Sequence, residues 1–83
     1  MANKLYYKDS VGRDLKGIDR QEARRIIAKI EKLLVRDSNA GKPLKGGEYH
    51  SLRAGNYRVI YIKVKDGALI ARIGHRKDVY YDL

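Results

Sequence analysis

Eighty-three residues with 43% hydrophobic content, seven tyrosines and one proline predict one small folded domain over 1–83 rather than a disordered tail. With no cysteine, disulfides, thiol nucleophiles and thiolate metal sites are excluded, and with only His50 and His75 as histidines no metal or other cofactor is expected. Nineteen basic residues against ten acidic ones give a net charge of +9 and an isoelectric point near 9.9, so the expected partners are anionic: nucleic acid or an acidic protein.

The first segment, residues 4–8, is short, aromatic and flanked by charge, and reads as a strand. Asp9 and Ser10 then offer an N-cap to a short helix with Val11, Leu15 and Ile18 at i, i+4 and i+7. Asp19 followed by Glu22 resembles a capping box, and behind it Ala23, Ile26, Ile27, Ile30, Leu33 and Leu34 recur at helical spacing as one apolar stripe. The other side of this helix carries Arg24, Arg25, Lys29, Lys32 and Arg36, a pattern that more often marks a solvated surface than a nucleic-acid face. Residues 37–47 form a loop by composition, and Gly41-Lys42 has neither the glycine spacing nor the following Ser or Thr of a phosphate-cradling loop. Beyond it the period becomes extended over 48–54, 57–65 and 68–75, with Gly55-Asn56 and Asp66-Gly67 between as two-residue hairpin turns. The expected fold is therefore α+β, in the order β-α-α-β-β-β, with an N-terminal strand and an α-hairpin packed on a small antiparallel sheet.

The turns set the pairing. A turn at Gly55-Asn56 places Arg53 opposite Arg58, and a turn at Asp66-Gly67 would bring His75 opposite Arg58, giving a row Arg53, Arg58, His75. Like charges facing each other on neighbouring strands destabilise a sheet by a few tenths to about 1 kcal/mol, so folding gives no reason to build such a row. A bound phosphate would turn that repulsion into charge-assisted hydrogen bonds. Beside two arginines His75 is expected as a neutral imidazole able to accept a proton. Tyr49 and Ser51 share the arginine face by alternation, whereas His50, Leu52, Tyr57, Val59 and Tyr61 share the other, where His50 is expected to be a structural residue. Tyr80 and Tyr81 follow the last strand, as packing anchors or as platforms for a base.

The stretches Leu44-Lys45-Gly46, Leu52-Arg53-Ala54-Gly55-Asn56-Tyr57-Arg58-Val59-Ile60-Tyr61 and Arg72-Ile73-Gly74-His75-Arg76-Lys77-Asp78-Val79-Tyr80 resemble the RelE branch of the RelE/ParE toxin superfamily, whose order of strand, α-hairpin and antiparallel meander covers the whole chain. The resemblance implies a toxin of a type II toxin–antitoxin module. Such a toxin acts without metal as an endoribonuclease, cleaving mRNA in the ribosomal A site by attack of a ribose 2′-OH on the adjacent phosphate. An acidic antitoxin holds it inactive. Carried over, Arg58 would stabilise the phosphate in the transition state, Arg76 would be a second catalytic arginine, and Tyr80 the general base or a stacking residue. Arg53 would position RNA, and Lys45, Tyr49, Ser51 and Lys77 complete the expected RNA-binding set, with Tyr49 and Ser51 standing where some relatives carry a lysine pair. The pairing count favours His75 in the catalytic row where the resemblance favours Arg76, so both are candidates.

Two other functions compete. A ParE-like inhibitor of DNA gyrase would share the fold, but that branch generally lacks the Gly-His-Arg-x-x-Val-Tyr set that closes this sequence. A non-catalytic basic nucleic-acid-binding domain would account for the charge but not for arginines converging with a histidine and a tyrosine. Apolar runs of at most about four residues and an amino terminus without an extended apolar stretch predict no membrane span and no secretory leader, hence a cytoplasmic protein.

Overall fold

A computed structural model describes residues 3–44 and 47–75. The chain runs β1 (Lys4–Tyr7), α1 (Asp9–Lys16), α2 (Arg20–Leu34), β2 (Lys42–Pro43), β3 (Tyr49–Ala54), β4 (Tyr57–Val64) and β5 (Gly67–His75). The strands form one sheet in the order β1-β5-β4-β3-β2, in which β1 lies parallel to β5 and every other pair is antiparallel. The architecture is the expected α+β one with two additions. The N-terminal strand joins the sheet, making it mixed, and the 37–47 loop contributes the short edge strand β2.

The helices start for different reasons. Asp19 caps α2, its side chain accepting from the Gln21 N–H at 3.2 Å, while Glu22 turns to Arg25 at 3.2 Å, so only half of the expected capping box forms. The N-cap position of α1 falls on the extended Lys8, which supplies no side-chain cap. Asp9 opens the helix as a first-turn acid, and Ser10, expected as a cap, donates instead to the Ala71 carbonyl of β5 at 2.7 Å. Ile26, Ile30 and Leu34 form the buried line of α2, with Ala23, Ile27 and Leu33 half-buried beside it. That line meets Val11 of α1 and one face of the sheet: Leu52, Ala54, Val59, Tyr61, Ala68, Ile70 and Ile73. At this core, burial of apolar area supplies the main stabilisation.

The first hairpin has the counted register, with Ala54 opposite Tyr57, Arg53 opposite Arg58 and Leu52 opposite Val59. Gly55 takes φ of 62°, as the first central position of such a turn requires. The second hairpin departs from its expected form twice. Its turn residues are Lys65 and Asp66, so that Val64 pairs with Gly67, and between Ile60 and Tyr61 the partner jumps from Arg72 to Ile70, leaving Ala71 as an extra residue. The turn shift and the bulge together displace the far end by one residue. Arg58 therefore faces Gly74, and His75 faces Tyr57 on the helix-bearing side.

Long-range contacts explain both departures. A Cβ on Gly67 would collide with the Lys4 backbone, so the glycine belongs inside the strand, where β1 closes against it, and not in the turn. Beyond Ile70 the β5 edge has outrun β1, and α1 takes over. Asp14 accepts from the Ile73 N–H at 2.8 Å and from Arg72 Nε and Nη2 at 3.0 Å each, and Ser10 binds the Ala71 carbonyl. The helix thus satisfies an edge that a strand would otherwise have to cover.

Candidate functional site

The sheet face turned away from the helices is basic at one end. Arg53 and Arg58 stand directly opposite each other there, Arg53 exposed with Nε 3.5 Å from the Gly55 carbonyl, Arg58 half-buried with Nη1 donating to Ser51 Oγ at 3.4 Å. Ser51 is buried at 6% exposure, and its hydroxyl is a long-range acceptor for the Arg58 guanidinium. Tyr49 lies on the same face opposite Ile62, half-buried. These positions follow from the alternation of β3 and β4 once the Gly55-Asn56 turn is set.

Lys42 joins them from the edge, and composition alone gave no reason to select it. Its register partner is Ser51, and with Ala40, Gly41, Ser51, Leu52, Arg53 and Arg58 it lines a cleft of about 240 Å³ in which none of the described lining residues is acidic. The available signal is the following proline. A residue before proline is steered to extended backbone, which here places Lys42 in a strand. Tyr61 fixes this wall of the cleft from the core side. Its fully buried ring stacks on His50 with centroids 5.4 Å apart, and its hydroxyl donates to the Ser38 carbonyl at 2.8 Å while accepting from the Gly41 N–H at 2.9 Å. Burial, and more weakly Asp37, push the Tyr61 hydroxyl above its ordinary value near 10, with the Gly41 N–H pulling the other way. A Cβ on Gly41 would collide with the Ser51 carbonyl and the Tyr61 ring, so only glycine lets the segment approach this closely.

The remaining candidates separate. His75 is exposed, and its ring meets Tyr57 edge-on at 5.9 Å, across the sheet from the arginine pair, so the counted row Arg53, Arg58, His75 does not form. The reason for expecting a neutral ring, two adjacent arginines, goes with it. His50 has its structural role, stacked on Tyr61 with Nδ1 3.1 Å from the Glu48 carbonyl oxygen. Arg72 shares the arginine face but is tied bidentately to Asp14, a structural use that the sequence left unread. Lys45, Arg76, Lys77, Tyr80 and Tyr81 lie outside the described residues. Among the described residues no group of three or more His, Asp or Glu is placed to hold a metal ion, and no helix is long and apolar enough to cross a membrane.

Chemically, a cleft whose described lining holds three cations and a hydroxyl suits an anion presented along a strand or chain, and two arginine forks suit phosphate. Comparison with known proteins places the chain in a family. The family model of the ParE toxin of type II toxin–antitoxin systems, parDE, matches residues 5–80. Among solved structures, the RelBE2 toxin–antitoxin complex of Mycobacterium tuberculosis superposes with a TM-score of 0.80 at 23% identity, covering 92% of this chain and 100% of that one. The RelB-RelE antitoxin–toxin complex of Methanococcus jannaschii gives 0.72 at 27% identity, covering 94% and 98%. A mutant of the E. coli toxin RelE in the free state gives 0.77 at 15% identity, covering 99% and 93%. No curated protein matches the chain.

Proposed function

This chain belongs to the ParE toxin family of type II toxin–antitoxin systems, within the RelE/ParE superfamily, and on that premise we propose that it is a metal-independent endoribonuclease that cleaves mRNA in the A site of the ribosome. The observation that carries this reading is the directly opposed pair Arg53 and Arg58 beside Ser51. Such a pair opposes folding by up to about 1 kcal/mol, and a phosphodiester lying across it reverses the sign of the interaction.

In the reaction the ribose 2′-OH gives up its proton to a base as its oxygen attacks the adjacent phosphorus, the bond to the 5′-oxygen breaks, and that oxygen takes a proton from water, so that a 2′,3′-cyclic phosphate and a 5′-hydroxyl result. Negative charge grows on the nonbridging oxygens and on the departing oxygen, and preorganised cations lower that barrier. Arg58 has this role in our reading, because it is half-buried in the cleft opposite Arg53 with Ser51 beside it. Arg53 positions the strand, with Tyr49 on the same face offering a ring to a base. Arg76 and Tyr80 are assigned from the sequence motif, the first as a second phosphate ligand and the second as acceptor of the 2′ proton, with Lys45 and Lys77 as further RNA contacts. His75 is left outside this machinery, since its register places it with Tyr57. The second partner we propose is an acidic antitoxin. The net charge of +9 and the RelB-RelE complexes among the structural relatives support it.

The test is Arg58→Ala assayed on translating ribosomes. Cleavage should fall by about two orders of magnitude or more while folding and antitoxin binding persist. Full activity of that variant would overturn the nuclease reading. A second reading, inhibition of DNA gyrase, is favoured by the family model, which is that of a ParE toxin. Gyrase-dependent DNA cleavage by the wild-type chain, without mRNA cleavage, would establish it.

A further inference from the structure

We propose that Lys42 is an additional phosphate ligand of the cleft, contacting the backbone of the same single-stranded RNA that Arg53 and Arg58 engage; the inference rests on the nucleic-acid reading above. Pairing with Ser51 puts Lys42 on the arginine face, and the residue lines the cleft together with both arginines. The backbone beneath it is fixed at three points: the Ser38 carbonyl and the Gly41 N–H on the Tyr61 hydroxyl, and the Leu44 N–H on the Tyr49 carbonyl at 2.8 Å. Two of these bonds satisfy the hydroxyl of the buried Tyr61 and so contribute to the stability of the fold as well. Anchoring gives the flexible lysine stem a fixed root at the edge of the cleft.

Charge points the same way. Arg72, the other described cation near the arginine pair on this face, is matched by Asp14, whereas among the described residues Lys42 forms no ion pair. Lys42 adds a third cation to the cleft that Arg53 and Arg58 line, which strengthens the local positive field that draws an anion. A lysine on an edge strand can also serve to repel the edge of another sheet, and that role would be indifferent to what the cleft holds.

The experiment measures binding of a short oligoribonucleotide, 2′-deoxy at every position that could be cleaved, as a function of salt concentration. Each phosphate contact on a single strand contributes about 0.7 to the slope of log affinity against log salt. Lys42→Ala should reduce the slope by about that amount, so that a fourfold rise in salt weakens its binding about 2.6-fold less than it weakens the wild type. Lys42→Arg should keep the wild-type slope, and Lys32→Ala on the outer side of α2 should leave it unchanged. The thermal midpoint of Lys42→Ala should match the wild type, since the side chain is exposed. If Arg53→Ala and Arg58→Ala lower the slope and Lys42→Ala does not, the Lys42 assignment is overturned and the cleft still binds RNA. If none of the three changes it, or the wild type binds no RNA, the nucleic-acid reading of the cleft falls as well.

Discussion

Replacing Tyr61 by Phe tests whether a core hydroxyl builds the wall of the cleft. The substitution keeps the buried ring and its stacking on His50 but removes the oxygen that donates to the Ser38 carbonyl at 2.8 Å and accepts from the Gly41 N–H at 2.9 Å. Each such bond contributes about 0.5–1.5 kcal/mol net, and no cavity larger than one oxygen is left, so the loss should be about 1–3 kcal/mol. In a domain of this size each kcal/mol lowers the thermal midpoint by roughly 4–8 °C, within easy reach of calorimetry. The pH dependence gives an independent check. Because the folded hydroxyl titrates above its ordinary value near 10, the unfolded chain loses this proton first. Stability from this group is therefore complete below pH 10 and declines as pH rises through the folded value. Tyr61→Phe should flatten that decline. A loss below about half a kcal/mol, with the alkaline limb unchanged, would mean that the hydroxyl is not a clamp and that the 38–42 segment is held by its other contacts, β2 pairing and the Lys63–Asn39 hydrogen bond.

Other outcomes follow from the same geometry. Ile30→Ala at a fully buried position should cost about 2–5 kcal/mol by denaturant unfolding, and a change under half a kcal/mol would place the helical stripe on the wrong side. Asp14→Ala removes the acceptor of the Ile73 N–H together with the partner of Arg72, and a loss of about 1–3 kcal/mol is expected, visible as faster amide exchange at Ile73; unchanged exchange there would refute the edge-covering role of α1. His75→Gln should leave mRNA cleavage near normal, because the ring lies with Tyr57 on the helix-bearing side, and a drop comparable to that of Arg58→Ala would return His75 to the reacting centre.

What the sequence determined by itself was everything fixed by local rules. The 3.6-residue spacing of Ile26, Ile30 and Leu34 specified α2 and its buried line, and Asp19 marked its start. Gly55-Asn56 set a two-residue turn, and with it the whole register of β3 against β4, including the opposed arginines and the separation of Ser51 from Leu52. Those features need only neighbours in the chain. The second hairpin obeyed partners some sixty residues away. Gly67 looked like a turn residue, but it is where the backbone of β1 approaches β5, and the extra residue at Ala71 sits where α1 replaces β1 along the edge. Because strand side chains alternate, the resulting one-residue offset moved His75 from the arginine face to the other. Tertiary structure also decided the third cation of the cleft. Lys42 lines the same cleft as the arginines because β2 pairs with β3 and Tyr61, from the opposite side of the sheet, holds Gly41 there, a contact that no periodicity in 37–47 encodes.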